Sequence, residues 1–463
     1  MSKEFNPPDL RENKMGTMPV GKLLFNMALP MILAMVIQAL YNVVDSIFVS
    51  RISEKAVTAL SLAFPIQNIL IGFATGIGVG VNSLLSKSLG EQNQKAANRA
   101  AGNGIFLVFI ATAIFVLFGI FGARPYFAIQ SDNAETVEGG TIYIAICCIG
   151  SLGILVEVLG ERLLQSSGRT VYTLVTQGTG AIVNIILDPV FIFGVEPLGI
   201  PAMGIAGAAI ATVIGQWIAA ILAVIFNLKC NPDVQFSLEA IKPKKDAILP
   251  ILTVGIPSII MVGIGSVMNF SMNQILLGMD PEETAAGVFG IYFKLQSFFF
   301  MPLFGINNAT ISIVAYNYGA RNPKRITGTL LRSCISALCI MVLGLLVFQI
   351  FPDQLLSIFN PTDEFLRMGR GALRTISFCF PLAAFGIALS ASFQALGNGI
   401  YSTIVSLCRQ LLVLLPAAYL LSLTGEVTNV WWAFPIAEIG SLAATLFFFA
   451  RIYRRKIKPL LEG

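Results

Sequence analysis

The chain has 463 residues, 56% of them hydrophobic and 12% charged, with 30 Lys and Arg against 25 Asp and Glu and no histidine. A mean hydropathy of +0.79 means more apolar surface than a soluble fold of this size can hide, and the lack of histidine removes the usual zinc ligand and neutral-pH proton carrier. The seven cysteines show no metal-site or disulfide spacing, and the net charge of +5 needs no nucleic-acid partner because its distribution along the chain explains it.

Residues 1–20 are polar and contain no apolar signal core. Twelve apolar spans follow, over 22–50, 57–88, 98–122, 138–167, 170–194, 203–227, 246–278, 284–317, 326–351, 364–395, 401–424 and 427–452. Each is long enough to cross a hydrocarbon core of roughly 30 Å. Lipid offers the backbone no hydrogen-bond partner, so the spans are helical. The fold class is therefore an all-α, multi-pass membrane protein, expected as a monomer. GIGVG at 76–80 lies inside the second span and reads as helix packing rather than a phosphate loop.

The loops alternate in charge. Lys14 and Lys22, then Lys87, Lys95 and Arg99, then Lys229, Lys242, Lys244 and Lys245, then Arg321, Lys324 and Arg325, and finally the tail Arg451–Lys458 mark one side. Asp132, Glu135 and Glu138, and later Asp280, Glu282 and Glu283, mark the other. Positive charge stays on the cytoplasmic side, so both termini are expected there.

The halves resemble each other. ALPMILAMVIQALYNVVDSIF aligns with GIPSIIMVGIGSVMNFSMNQI, SLGEQNQK with NYGARNPK, and LLQSSGR with SFQALGN. These blocks pair Pro30 with Pro257, Gly90 with Gly319 and Gly168 with Gly397. Three blocks in one order divide the chain into a first lobe, 1–227, a linker, 228–245, and a second lobe, 246–463. A parallel repeat of six plus six spans is a transporter architecture, with substrate held between repeats near mid-membrane.

The differences between the repeats point to a site. Asp45 pairs with Met272, Glu157 with Gly386, Glu161 with Ser390 and Asp188 with Ala417. The second half does without these acids, so the fold does not require them. An intramembrane charge costs roughly 2.5–3.5 kcal/mol on insertion scales and is a functional candidate by default. Glu157 and Glu161 share a helix face at i, i+4, as do Asn184 and Asp188. If Asp45, Glu161 and Asp188 converge, they can exchange a proton. Asp45, Asn184 and Asp188, with Thr212, equally suit Na⁺. Each acid has a plainer reading. Asp188 precedes Pro189 near a span end, Asp45 precedes Arg51, Glu161 has Arg162 beside it, and Glu157 fits a solvated role. Pro30 can hinge the first span by removing a backbone hydrogen bond, or it can simply lie near the helix start. Lys294, Arg409 and Glu438 are the intramembrane charges of the second half. With Glu157 they are candidates for the substrate cavity or for structural pairing.

The first span, the SLGEQNQKAANRA loop, LLQSSGRT, VNIILDPVFIFG, GIAGAAIATVIGQ and WWAFPIAE together resemble the multidrug and toxic compound extrusion (MATE) transporters, in particular the DinF/MepA-like prokaryotic branch. The resemblance implies twelve helices in two pseudo-symmetric lobes, V-shaped, of the wider MOP type. It implies export of cationic or amphiphilic compounds from a prokaryotic plasma membrane, driven by inward H⁺ or Na⁺, with no cofactor. It also implies that Asp45, Asn184, Asp188 and Thr212 match the first-lobe cation site and Pro30 the bending position. Glu161 departs from the asparagine common in that branch. A flippase for lipid-linked sugars needs cationic groups for pyrophosphate, which the acidic set disfavours. A membrane-embedded enzyme would need a nucleophile–base pair or metal motif, and the sequence contains neither.

Overall fold

The computed structural model describes residues 13–195, 197, 199–280, 284–359 and 362–462. Glu282 and Glu283, among the loop acids above, and residues 1–12 lie outside the described residues. In chain order the helices are α1 (Lys14–Thr17), α2 (Val20–Ser50), α3 (Glu54–Gly90), α4 (Gln94–Leu117), α5 (Ala123–Gln130), α6 (Ala134–Ile149), α7 (Leu152–Ser166), α8 (Thr170–Phe193), α9 (Ile205–Cys230) and α10 (Leu238–Ile241). They continue with α11 (Lys245–Met279), α12 (Thr284–Gly319), α13 (Pro323–Ile350), α14 (Pro352–Ser357), α15 (Asp363–Ser377), α16 (Phe380–Ala395), α17 (Gly399–Leu407), α18 (Leu415–Ser422), α19 (Val427–Val430), α20 (Ala433–Ile452) and α21 (Pro459–Glu462). Wider π turns interrupt three spans, at Phe118–Gly122, Cys408–Leu414 and Tyr453–Ile457.

Among the described residues, ten helical stretches are long and apolar enough to cross a membrane, and twelve if two bent pairs are each one span. Those pairs are α6 with α7, bent by 45°, and α15 with α16, bent by 47°. The sequence pattern reads each as one continuous span. In the second pair Pro381, in the first turn of α16, cannot supply a backbone N–H to the preceding turn. In the first, Gly150 and Ser151 fall at the break, and both residues disfavour a helix interior.

The repeat has a conformational basis. Gln92 and Arg321 both adopt left-handed backbones, with φ 55° and 51°. The next residues, Asn93 and Asn322, cap α4 and α13, accepting from the N–H groups of Ala96 and Arg325. Gly168 and Gly397 share φ values of 78° and 74°, which favour glycine. The retained residues are those that end one span and start the next.

The chain forms two compact units. One comprises Met1–Met18 and Leu33–Ile259, the other Pro19–Ile32 and Ile260–Gly463. Both α2 and α11 are divided, after Ile32 and Ile259, each two residues beyond a repeat-related proline, Pro30 or Pro257. In the first unit small residues bring backbones together. A Cβ on Gly80 would lie 2.2 Å from the carbonyl oxygen of Ile251, and one on Gly76 would lie 2.6 Å from that of Gly255. The GIGVG run is therefore a packing surface. The second unit is centred on aromatic side chains, among them Phe289, Tyr292, Phe348, Phe380, Trp431 and Phe434.

On the linker side of the first unit, Met15 of α1 is fully buried and its neighbour Lys14 lies against Gly168. Asp233, in the loop after α9, accepts from Asn13 and pairs with Arg169 at 3.6 Å. Burial pushes its carboxyl above the usual range, and Arg169 partly offsets this.

Candidate functional site

The site in the first unit is built by a close approach of α8 and α9. A Cβ on Gly215 would lie 2.8 Å from the carbonyl oxygen of Gly180. With both residues glycine the helices touch, and the polar side chains one turn further along α8 meet α9 directly. Asn184 and Asp188, one turn apart, are both buried there, as is Thr212 of α9. In the amide orientation that satisfies both ends, Asn184 Nδ2 donates to Asp188 Oδ2 at 3.0 Å. Its Oδ1 accepts from the backbone N–H of Thr212 at 3.1 Å and from its hydroxyl at 3.3 Å.

Asp45 of α2 completes the group. Its carboxyl faces that of Asp188 within electrostatic and hydrogen-bonding reach. Two carboxylates repel, and a hydrogen bond between carboxyl groups needs a proton. Asp45 Oδ1 is buried without a partner among the described residues. The site thus offers a carboxyl pair, an amide, a hydroxyl and one unsatisfied oxygen in a shielded place. Such a set can hold a proton, or it can give a hard cation oxygen ligands. Among the described residues no group of three or more His, Cys, Asp or Glu side chains is placed to hold a metal ion. Any Na⁺ would therefore rest on the mixed set of Asp45, Asn184, Asp188 and Thr212, which includes neutral oxygens.

Glu161 does not join this pair. Both its oxygens are occupied by the start of α8, Oε1 by the Thr176 hydroxyl at 2.8 Å and Oε2 by Gln177 Nε2 at 2.9 Å. From Gln177 to Asp188 is eleven residues of helix, about 17 Å at 1.5 Å per residue. The expected convergence of Asp45, Glu161 and Asp188 therefore does not occur. Helical periodicity assigned Glu161 to a face but not to a depth. Arg162 turns instead to Gln165 Oε1, at 2.9 Å. Glu157 is beside Glu161, as the i, i+4 spacing requires, and is also within electrostatic reach of Tyr41. Tyr41 in turn neighbours Asp45, Asp188 and Cys147.

Several neighbours went unnoticed in the sequence. Tyr143 of α6 accepts a hydrogen bond from Gln67 Nε2 of α3 at 2.8 Å and neighbours Asp45 and Cys147. The offset that pairs Gly90 with Gly319 also pairs Tyr143 with Ala372, a difference that would have exposed it. It pairs Gln67 with Gln296, so comparing the halves gives no signal for that residue.

Pro30 lies inside α2, ten residues past its start at Val20, so it is not a helix-start proline. The remaining candidates belong to the second unit. Arg409, on the π turn at Cys408–Leu414, pairs with Glu438 of α20 at 3.3 Å. Glu438 Oε2 is buried without a partner among the described residues. Lys294 is exposed on α12. Glu157 is thus in one unit and Lys294, Arg409 and Glu438 in the other.

The chain as a whole is similar to several known proteins. The sequence model of the MatE family matches residues 30–190 and again 257–420, one match in each half. An FAD transporter of Shewanella oneidensis is 25% identical over 437 residues, spanning 94% of this chain and 95% of that protein. The multidrug export protein MepA of Staphylococcus saprophyticus is 23% identical over 448 residues, spanning 96% and 97%. A crystal structure of a MATE in the straight conformation superposes with a TM-score of 0.88 at 25% identity, over 97% of this chain and 99% of that one. One in the bent conformation gives 0.86 at 25%, over 98% and 97%.

Proposed function

Because the chain belongs to the MatE family, whose members are transporters rather than enzymes, we propose that it is a secondary active antiporter that exports organic cations, drugs and other toxic compounds in exchange for inward H⁺ or Na⁺. The observation that carries this reading is the contact of Asp45 with Asp188, backed by Asn184 and Thr212. A shared proton, or a cation in its place, neutralises two acids that would otherwise repel in a low-dielectric site. Its departure restores the repulsion and favours a different arrangement of α2. Each ion state thereby prefers one conformation, as alternating access requires. Pro30 supplies the bend, and the straight and bent MATE structures support such a motion. Similarity to MepA supports drug-like substrates. Similarity to the bacterial MepA proteins supports a prokaryotic plasma membrane, and the lysine and arginine pattern supports both termini in the cytoplasm.

A second reading is export of a flat aromatic nucleotide, favoured by similarity to the Shewanella FAD transporter. One experiment separates the two. Proteoliposomes are loaded with ethidium or with FAD, and a pH gradient or a Na⁺ gradient is imposed alone. The first reading predicts gradient-driven ethidium movement. Movement of FAD alone would replace it with the second, and movement of neither would sink both.

A further inference from the structure

The first unit carries a groove of about 260 Å³ between α4, α7 and α9, separate from the carboxylate site. Its walls include Val108 and Phe109 of α4, Leu159 of α7, and Val224 and Leu228 of α9. Phe236 of the linker closes one end. The polar residue in the wall, Asn227, has its amide committed. Nδ2 donates to the carbonyl oxygens of Gly160 and Ala223, both at 2.8 Å, and Oδ1 accepts from Asn231. The groove therefore offers an occupant hydrocarbon contact and nothing else. Phe109, Val224, Leu228 and Phe236 are exposed at its lips, Leu228 by 64%.

The closing end is anchored by the linker's hydrogen bonds. Asn98 Oδ1 accepts from the N–H of Gln235 at 2.9 Å, and Gln94 Nε2 donates to the carbonyl oxygen of Asp233 at 2.9 Å. Asn103 holds α10 and the residues after it, donating to the carbonyl oxygen of Ala240 at 3.1 Å and accepting from the N–H of Lys244 at 2.9 Å. A Cβ on Gly102 would lie 2.3 Å from the Ala240 backbone, so glycine is what lets the linker lie this close to α4.

Charge then selects the occupant. Lys229 follows Leu228, and Lys242 follows α10. Both are exposed, and neither has an ion pair among the described residues. Lys244 and Lys245 come next. Of the acids at this end, Asp233 is held by Arg169 and Asp246 by Arg99, which leaves Glu239 exposed. The end of α9 and the linker that supplies Phe236 therefore carry a positive balance, four exposed lysines against one unpaired acid.

We propose that this groove binds an anionic phospholipid, an acyl chain lying against Val108, Leu159 and Val224 and the phosphate meeting Lys229 and Lys242. Hydrocarbon fits the walls, and lysines near a membrane surface favour acidic lipid. Because Phe236 belongs to the linker between the two halves, lipid occupancy would stabilise the linker's path across α4.

The test uses the purified full chain in detergent, offered phosphatidylglycerol or phosphatidylcholine with the same acyl chains, with bound lipid counted by native mass spectrometry. Wild type should retain phosphatidylglycerol roughly tenfold better, as expected for one to two lysines at an anionic surface. The Lys229→Glu/Lys242→Glu variant should hold the two lipids equally, and Val224→Trp, which fills the groove from its rim, should hold neither. Equal retention by wild type, or undiminished retention by Val224→Trp, would overturn the proposal. If Val224→Trp fails to fold, the surface charge variant still decides, because loss of headgroup preference supports the site and its persistence refutes it. The readout needs no transport, so it is independent of the antiport reading.

Discussion

Replacing Asp45 with asparagine should leave the protein at least as stable and make it less active. Asparagine has nearly the same shape but no charge. In the wild type, Asp45 Oδ1 is buried with no partner among the described residues, and the carboxyl meets Asp188. A carboxylate within a membrane helix costs roughly 2.5–3.5 kcal/mol on insertion scales. Asparagine removes that charge but keeps one carbonyl acceptor, so about 3 kcal/mol is the ceiling on the gain. The new amide N–H₂ can donate to Asp188, which keeps the change from being destabilising. Resistance to chemical or thermal unfolding in detergent should therefore be equal or higher. Gradient-driven efflux should fall by at least about tenfold, equivalent to 1.4 kcal/mol in the barrier, because the pair can no longer exchange its ion. The opposite signs are diagnostic. A variant that unfolds more easily and loses transport in proportion would make Asp45 a structural residue, and full transport would remove it from the mechanism.

Three further outcomes follow from the same geometry. Thr212→Val removes one of the two bonds to Asn184 Oδ1 while the backbone N–H at 3.1 Å remains, so coupling-ion affinity should weaken by about fivefold, the equivalent of one hydrogen bond near 1 kcal/mol; a titration of ion against transport rate measures it. Tyr143→Phe strips Gln67 Nε2 of its acceptor and should cost about 1 kcal/mol in unfolding, regained when Gln67→Met is added. Arg409→Met leaves Glu438 buried without a counter-charge and should destabilise by about 3 kcal/mol, whereas the Arg409→Met/Glu438→Met pair should be near neutral.

The span pattern and the internal repeat were readable in the sequence because lipid imposes length and apolarity on every helix. The left-handed turns at Gln92 and Arg321 leave an Asn cap immediately afterwards in both halves. Pairing of Asn184 with Asp188 was readable because periodicity sets a helix face. Depth was not readable. Glu161 is on an inward face yet is about three turns of α8 from Asp188, because the turn after α7 folds it onto Thr176 and Gln177. Contacts across helices were equally hidden, since Gln67, Tyr143 and Tyr41 come from three different spans. The breaks at Gly150 and Phe378 passed unseen because hydropathy continues across them.

The most direct measurement is ion release on substrate binding. A cationic substrate is added to the purified protein in weak buffer, and liberated protons or Na⁺ are counted per substrate bound. The account predicts release from wild type, with Asp45→Asn and Asp188→Asn releasing none. Substrate binding by wild type without release of either ion would contradict it.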